Sequence, residues 1–172
     1  MNIHLKVDLL KQDEWPRLRD LRLASLKENP EAFGGQFESE RIFSEIQWRE
    51  KFVNLEFIVA SVDRVDVGIM SVEVLEGDYG ATCWIGGCWT NPEYRGQGAL
   101  RALFRFVDDH GVDKGWQRQG LGVWTDNERA IAAYTAIGFI AAGEKQASER
   151  QPGRFYMHMV RDYVSTDNRV EL

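Results

Sequence analysis

Apolar residues in the first third of the chain recur at helical spacing. Leu18, Leu21 and Leu26 share one helical face that ends before an Asn-Pro pair, because the residue before proline avoids the helical conformation. Ser44 and Gln47 have the spacing of a capping box, which predicts the start of a second helix. The elements predicted here are a short strand at residues 3–8 and helices at residues 13–29 and 44–53.

The middle of the chain changes to strand-like runs, and helical spacing then returns. Leu100, Leu103, Phe104 and Val107 stand at i, i+3, i+4 and i+7, which predicts a helix that ends near His110. The other predicted elements are strands at 56–62, 65–75, 82–90, 121–125, 139–143 and 154–161, and a helix at 127–137. This order predicts an α+β fold with a mixed, mostly antiparallel sheet of about seven strands and helices on both faces. We expect one domain at residues 1–162 and a loose tail at residues 163–172.

The segment from Thr90 to Arg101 joins a predicted strand to a predicted helix through two glycines. The first amides of a helix have no partners within it and carry roughly half a positive charge. Gly96 and Gly98 have no Cβ, so a phosphate can approach their backbone. Arg95 and Arg101 flank the turn and can donate charged hydrogen bonds to phosphate oxygens. The segment therefore predicts an anion site.

The glycines alone are equally compatible with an ordinary connection between a strand and a helix. The amino-acid sequence of this segment excludes two other phosphate-binding motifs. No Gly-Lys-Ser/Thr follows, as a P-loop requires. Gly96-Gln97-Gly98 is followed by Ala99-Leu100-Arg101, without the third glycine of a dinucleotide fingerprint.

Two ordered blocks of sequence resemble the GNAT superfamily of N-acetyltransferases. Residues 92–98, Pro-Glu-Tyr-Arg-Gly-Gln-Gly, resemble its coenzyme A pyrophosphate loop, Arg/Gln-x-x-Gly-x-Gly/Ala. Residues 125–139 are similar to its later block, in which an Asn opens a helix, a Tyr follows one to two turns later, and Gly-Phe closes it. The resemblance covers about residues 55–160 and implies an acyl-CoA N-acyltransferase fold. In that fold the fourth and fifth strands run parallel and splay apart around the pantetheine arm of acetyl-CoA.

The resemblance also implies which residues bind acetyl-CoA as the co-substrate: Cys88, Trp89, Thr90, Arg95, Gly96, Gln97, Gly98, Ala99, Leu100, Arg101 and Asn127. Leu100 departs from the family, which has Gly or Ala at this position. Because Leu100 also begins the apolar stripe of the helix, we expect it to point inward and leave the loop intact. Asn127 has a simpler alternative role as a helix cap, which Thr125 or Asp126 could fill equally well.

Transfer of an acetyl group to an amine needs a base for the amine and an acid for the leaving thiolate. Tyr134 matches the family's general acid, although a tyrosine on an amphipathic helix is also an ordinary core residue with a wet tip. Glu73 is the candidate base because it shares a strand face with Ser71, and solvation at the surface is its simpler role. Glu38, Glu40 or an ordered water chain are alternatives.

Composition narrows the possible partners. The 172 residues carry a net charge of −6, which gives no electrostatic support to nucleic-acid binding. A cationic acceptor would suit this charge, but many soluble proteins are mildly acidic. The three histidines are scattered, so we expect no metal. No apolar stretch is long enough for a membrane helix, and Cys83 and Cys88 stand too far apart on one strand for a disulfide, so we expect a cytoplasmic protein.

The expected activity is acetylation of a small-molecule primary amine by direct attack within a ternary complex. A non-catalytic acyl-CoA sensing module, a protein-lysine acetyltransferase and a dimerisation domain that binds no nucleotide remain alternatives. The family branch that acetylates protein N-termini often has a Glu five residues before the Asn, where this chain has Gly122. A homodimer is expected from the family alone.

Overall fold

The computed structural model describes residues 3–165 and residue 167. Seven strands and six helices make up the regular structure of this part of the chain. In chain order they are β1 (Leu5–Leu9), α1 (Trp15–Glu28), α2 (Phe37–Glu40), α3 (Glu45–Glu50), β2 (Glu56–Val62), β3 (Val65–Val74), β4 (Cys83–Thr90), α4 (Ala99–Asp109), α5 (Gly111–Lys114), β5 (Arg118–Trp124), α6 (Glu128–Ile137), β6 (Ile140–Ala147) and β7 (Phe155–Asp162). Short 3₁₀ turns lie at Gln12–Glu14, Pro30–Ala32, Asp78–Gly80 and Pro92–Tyr94.

The strands form one mixed sheet in the order β1-β2-β3-β4-β5-β7-β6. β1 with β2, β2 with β3, β5 with β7 and β6 with β7 pair antiparallel. β4 and β5 pair parallel, with Cys83 opposite Gln119 and Trp84 opposite Gly120. The predicted α+β class and the parallel fourth and fifth strands are therefore confirmed.

The chain divides into two compact units. The first unit comprises Met1–Glu73 and Gly87–Phe106. Its core is a cluster of apolar side chains mainly from α1, α3 and strands β2 to β4, to which α1 contributes Leu18 and Leu21. The other buried members are Leu10, Trp48, Phe57, Val59, Ile69 and Trp89.

The second unit comprises Val74–Gly86 and Val107–Leu172. A buried polar cluster centres on Arg161, whose guanidinium donates to both carboxylate oxygens of Asp108 at 2.9 and 2.7 Å. The same guanidinium donates to Oε1 of Gln119 at 2.7 Å and to the carbonyl of Ile137 at 3.1 Å. Because each charge has an opposite charge and hydrogen bonds, the pair is tolerated in the interior.

Several predicted boundaries shift in the structure. The capping box is confirmed, since Gln47 N donates to Ser44 Oγ at 3.3 Å and Ser44 N donates to Gln47 Oε1 at 2.9 Å. The helix that follows stops at Glu50, earlier than the sequence predicts. Between the two helices predicted in the first third of the chain, the structure has the additional short helix α2. The expected end of α4 near His110 is followed at once by α5, which stops at Gly115 in a left-handed conformation.

The tail that we expect to be loose begins with two anchored residues. Tyr163 N donates to the carbonyl of Gln117 at 2.7 Å, and Val164 N donates to Asp108 at 3.1 Å. Residue 166 and residues 168–172 lie outside the described residues. Across the described chain, none of the helices has the length and apolar character that a membrane crossing requires.

Candidate active site

The glycine turn is fixed at both ends by backbone hydrogen bonds. Asn91 N donates to the carbonyl of Val67 at 2.8 Å, which ties the end of β4 to β3. Asn91 Oδ1 then accepts from Glu93 N at 3.0 Å and caps the 3₁₀ turn that follows. At the other end, Ala102 N donates to the carbonyl of Gly98 at 2.9 Å and closes the first turn of α4.

Both glycines of the turn adopt positive φ, 74° at Gly96 and 91° at Gly98. This left-handed region is costly for residues with a Cβ. Space around Gly96 is open, because a Cβ built there meets nothing within 4 Å among the described residues. The turn therefore needs glycine at residue 96 for its backbone conformation, and the open space leaves its exposed face accessible to a ligand.

The backbone amides of this turn have no partners within the described protein. Within the described chain, the N–H groups of residues 96–101 donate no hydrogen bond. Residues 96–98 are exposed, and α4 extends from them for 11 residues. Binding of an anion by these amides and by the positive end of α4 stays a prediction.

The Arg95 side chain faces protein groups. Its Nε donates to the carbonyl of Thr90 at 2.9 Å, and its Nη2 donates to Oε2 of Glu28 at 2.8 Å. The indole of Trp89 donates to the same oxygen of Glu28 at 2.9 Å. Arg95 thus fastens the turn to the end of α1, and a ligand anion would compete with Glu28 for its charge. The exposed Arg101 makes no ion pair in the described part of the chain.

The side chains of Gln97 and Leu100 differ in their surroundings: Gln97 is exposed and bonded within the loop, and Leu100 is partly covered by the protein. Gln97 Nε2 donates to the carbonyl of Glu93 at 3.0 Å, which stiffens the loop from within. Leu100 is half-buried, and Ala99, 3% exposed, begins the buried stripe that continues through Leu103. The expected inward position of Leu100 is therefore only partly realised.

β4 departs from regular strand conformation at Gly87, whose φ is 56°. The buried positions alternate along the strand until this residue, which is exposed. Trp89 lies in the core of the first unit, 7% exposed, while Cys88 and Thr90 are half-buried. Binding of the pantetheine arm by the main chain of Cys88, Trp89 and Thr90 stays a prediction.

Asn127 and Tyr134 belong to the second unit, where Asn127 immediately precedes α6 and Tyr134 lies on it. Asn127 caps this helix, since its Oδ1 accepts from Ala130 N at 3.2 Å. Of the other possible caps, Thr125 donates to the carbonyl of Phe155 and Asp126 pairs with Arg154. The cap uses the side-chain oxygen of Asn127 as an acceptor, so the side-chain amide nitrogen can still donate to another group. Tyr134 is half-buried, with its ring edge-on to Phe139 at 5.8 Å.

A cavity of about 210 Å³ lies in the first unit, and the sequence did not predict it. α1, β2, β3 and the residues after α3 contribute to its wall, which also includes Gly87 of β4. The lining residues are Leu18, Arg22, Ser25, Lys51, Leu55, Phe57, Ile69, Ser71 and Gly87. Glu73 is half-exposed and follows Ile69 and Ser71 on the same face of β3. The candidate base Glu73 therefore lies on the same strand as two residues of the cavity wall, two positions after Ser71.

Two other candidate bases differ in burial. Glu40 is buried and bound to Arg22 through both carboxylate oxygens, at 2.9 and 2.8 Å. Glu38 is exposed and paired with Arg41. Both oxygens of Glu40 are thus occupied by Arg22, and the role of Glu73 as the base stays a prediction.

Metal binding by clustered side chains and nucleophilic attack by Cys83 can both be assessed in the residues that the structure describes. No group of three or more His, Cys, Asp or Glu side chains there could hold a metal ion. Burial raises the pKa of the Cys83 thiol to about 12, so this group is protonated at neutral pH and is a poor nucleophile.

Comparisons with known proteins agree with this geometry. The sequence matches the profile of the Acetyltransferase (GNAT) family over residues 15–139. No curated protein matches the chain in sequence. Among solved structures, an acetyltransferase of the GNAT family from Streptococcus pneumoniae is similar with a TM-score of 0.74 at 14% identity, over 94% of this chain and 100% of that one.

Two further structures share the fold. The ribosomal-protein-S5-alanine acetyltransferase from Vibrio fischeri has a TM-score of 0.73 at 14% identity, over 93% of each chain. A protein from Salmonella typhimurium, solved with its cofactor acetyl-CoA, has a TM-score of 0.69 at 13% identity, over 93% of this chain and 94% of that one. The family match spans most of the chain, and the chain therefore belongs to the acetyltransferase (GNAT) family.

Proposed function

We propose that this protein moves an acetyl group from acetyl-CoA to the primary amine of a small-molecule acceptor. The observation that carries the proposal is the set of backbone N–H groups at residues 96–101, which donate no hydrogen bond within the described chain and lie at the positive end of α4. This arrangement suits the diphosphate of coenzyme A, because backbone N–H groups and the helix dipole act on the same anion. Exposed Arg101 adds a positive charge beside the turn.

The chemical step in this proposal is direct attack. The amine nitrogen bonds to the thioester carbon, the C–S bond breaks, and the sulfur leaves as a thiolate. Backbone N–H groups of Cys88 to Thr90 polarise the carbonyl oxygen, and the positive φ at Gly87 supports this role by interrupting the strand just before them. Tyr134 gives its phenolic proton to the thiolate.

A base takes the proton from the attacking amine. We assign this role to Glu73, because it lies on the same strand face as two residues of the cavity wall. The amide nitrogen of Asn127 is available to the pantetheine arm, since the helix cap uses only the oxygen of that side chain. The products are an N-acetylated amine and free coenzyme A, so the atoms of both reactants are accounted for.

A small acceptor is supported by the size of the cavity. Its volume of about 210 Å³ is below the roughly 300–1,000 Å³ of pockets that bury drug-sized ligands. Gly122 stands where the branch acting on protein N-termini often has Glu. We propose a cytoplasmic location, which the absence of a disulfide between Cys83 and Cys88 supports, and homodimerisation on family resemblance alone.

Tyr134→Phe tests the catalytic assignment against a module that only senses acyl-CoA. We expect kcat to fall about 100-fold or more, because the thiolate loses its proton donor, while the Kd for acetyl-CoA is unchanged. Thiol release measures turnover and calorimetry measures binding. Tyr156→Phe is the matched control, since its hydroxyl donates only to Gln146 at 3.0 Å among the described bonds. An unchanged kcat would remove Tyr134 from the mechanism, and no turnover by the unaltered protein with any amine would favour the sensor.

A further inference from the structure

The cavity of the first unit has a basic character that the proposed function does not explain. Among its lining residues the charged side chains are Arg22 and Lys51, and the hydroxyls come from Ser25 and Ser71. The remaining wall is apolar apart from backbone, with side chains that can cover the carbon skeleton of a small molecule. A cavity that is to bind only the cationic form of an amine would present carboxylates here.

The carboxylate of Glu40, which lies beside both cations, is already used inside the protein. Nε and Nη2 of Arg22 donate to its two oxygens, and the Glu40 side chain is 8% exposed. The backbone of Gly35 packs onto this pair, and a Cβ at residue 35 would collide with Glu40 Oε1 and Arg22 Nη2. Glu40 therefore orients Arg22 and is shielded from a ligand.

The third guanidinium nitrogen of Arg22 is directed toward β4. A Cβ built on Gly87 would lie 4.0 Å from Arg22 Nη1 and 4.0 Å from Ser71 Oγ. Within the described chain neither of these two atoms makes a hydrogen bond. Two donors thus converge beside Gly87, immediately before the segment that we propose to hold the acetyl group.

Lys51 supplies a second positive charge to the same wall. Its Nζ lies 4.0 Å from Oε2 of Glu40, above the rings of Phe43 at 5.3 Å and Trp48 at 5.6 Å. Burial lowers the pKa of Lys51 and the charge of Arg22 acts in the same direction, while Glu40 opposes them. Two cations against one carboxylate leave a formal excess of one positive charge, which a bound anion would neutralise.

We propose that this cavity binds a carboxylate group of the acceptor, so that the acceptor is a small amine that also carries a carboxylate, as amino acids do. Arg22 Nη1, Lys51 Nζ and Ser71 Oγ bind the carboxylate, and the apolar wall covers the carbon chain. This inference rests on the proposed function, because it assumes that the protein acetylates an amine. It excludes polyamines and other purely cationic amines as preferred substrates.

The test compares each standard amino acid with the amine that remains when its carboxylate is removed. Thiol release at saturating acetyl-CoA gives kcat/KM for both members of a pair, and calorimetry on the coenzyme-bound protein gives their Kd. We expect the best amino acid to exceed its decarboxylated partner by about tenfold or more in both quantities, a difference of about 1.4 kcal/mol. Amines that carry a phosphate form a third arm, and a preference for them over carboxylates would overturn the assignment to a carboxylate.

Lys51→Gln tests whether Lys51 contributes to the preference for an amino acid over its decarboxylated partner. We expect the ratio between the two members of the pair to fall about tenfold, because one of the two cations is gone. Lys145→Gln is the matched control, since that lysine also lies over an aromatic ring, Phe155 at 4.6 Å, but belongs to the second unit. The ratio should not change in this variant. An unchanged ratio in Lys51→Gln would overturn the role of this cavity.

The outcomes separate the two proposals. Turnover of amines without a preference for carboxylates overturns only the present inference. Absence of turnover with every amine contradicts the proposed function, and the calorimetric preference for amino acids then still decides whether the cavity binds carboxylates. Equal binding of both members of every pair would overturn the inference in either case.

Discussion

One oxygen of Glu28 fastens the glycine turn to the rest of the first unit. Arg95 and the indole of Trp89 both donate to it, at 2.8 and 2.9 Å, and Arg95 also holds the carbonyl of Thr90. The sequence predicts that Arg95 binds phosphate, whereas the structure gives its guanidinium a protein carboxylate. In our proposal the backbone amides therefore carry most of the anion site, and Arg95 positions them.

At the same scale, the buried pair of Arg161 and Asp108 predicts a large effect on stability. Both side chains are 6% exposed. Arg161→Met leaves the carboxylate of Asp108 buried without its counter-charge, so we expect the free energy of unfolding to fall by about 3–5 kcal/mol. Urea unfolding followed by circular dichroism measures this change.

The double variant Asp108→Leu with Arg161→Met is the control for that prediction. Because it removes both charges together, it should lose less stability than Arg161→Met alone. A loss below about 1 kcal/mol in the single variant would show that the pair contributes no more than an exposed ion pair.

Individual site residues differ in how far sequence alone identifies them. Tyr134 and Asn127 can be selected because each stands at a fixed place in a recognisable block, although their roles are still predictions. Arg22, Glu40 and Lys51 are separated by irregular segments and share no motif. Their proximity depends on how α1, α2 and the residues after α3 fold back on one another, which local spacing does not encode.

At the scale of elements, the turn before α4 depends on backbone conformation more than on space. Gly96 and Gly153 offer a matched pair, with φ of 74° and 83° and nothing within 4 Å of a Cβ at either position among the described residues. Alanine at either position should destabilise the fold by about 1–2 kcal/mol, since both would hold a Cβ in the left-handed region.

Affinity should distinguish these two variants. Gly96→Ala reorients and covers the amides, so we expect its Kd for acetyl-CoA to rise about tenfold, which corresponds to about 1.4 kcal/mol. Gly153→Ala should retain the original Kd. Calorimetry measures both values, and equal affinities in the two variants would contradict the assigned role of the turn.

Elements with strong local signals could be predicted from sequence. The capping box at Ser44 and the glycine after α6 are confirmed, because each satisfies unpaired backbone groups through neighbouring residues. Helix α2 could not be predicted, since four residues give too short a window for periodicity. Leu100 was expected at the start of the buried stripe, but the register of the helix gives that place to Ala99.

At the scale of the molecule, the order of elements was sufficient to predict the fold class. The mixed sheet of seven strands agrees with that order. The parallel pairing of β4 with β5 was implied by the family resemblance, and the structure confirms it. The net charge of −6 does not predict the charge of the cavity wall. It is a sum over the whole surface, whereas the cavity wall holds Arg22 and Lys51 with their own local excess of positive charge.

The amides of residues 96–101 can be observed directly by ¹H–¹⁵N correlation spectroscopy during titration with coenzyme A. Our account predicts that Gly96, Gly98 and Ala99 show the largest downfield amide shifts, because their N–H groups begin to donate to the diphosphate. Pantetheine, which lacks the diphosphate, should leave these three signals in place. Binding of coenzyme A without shifts at these residues would contradict the account.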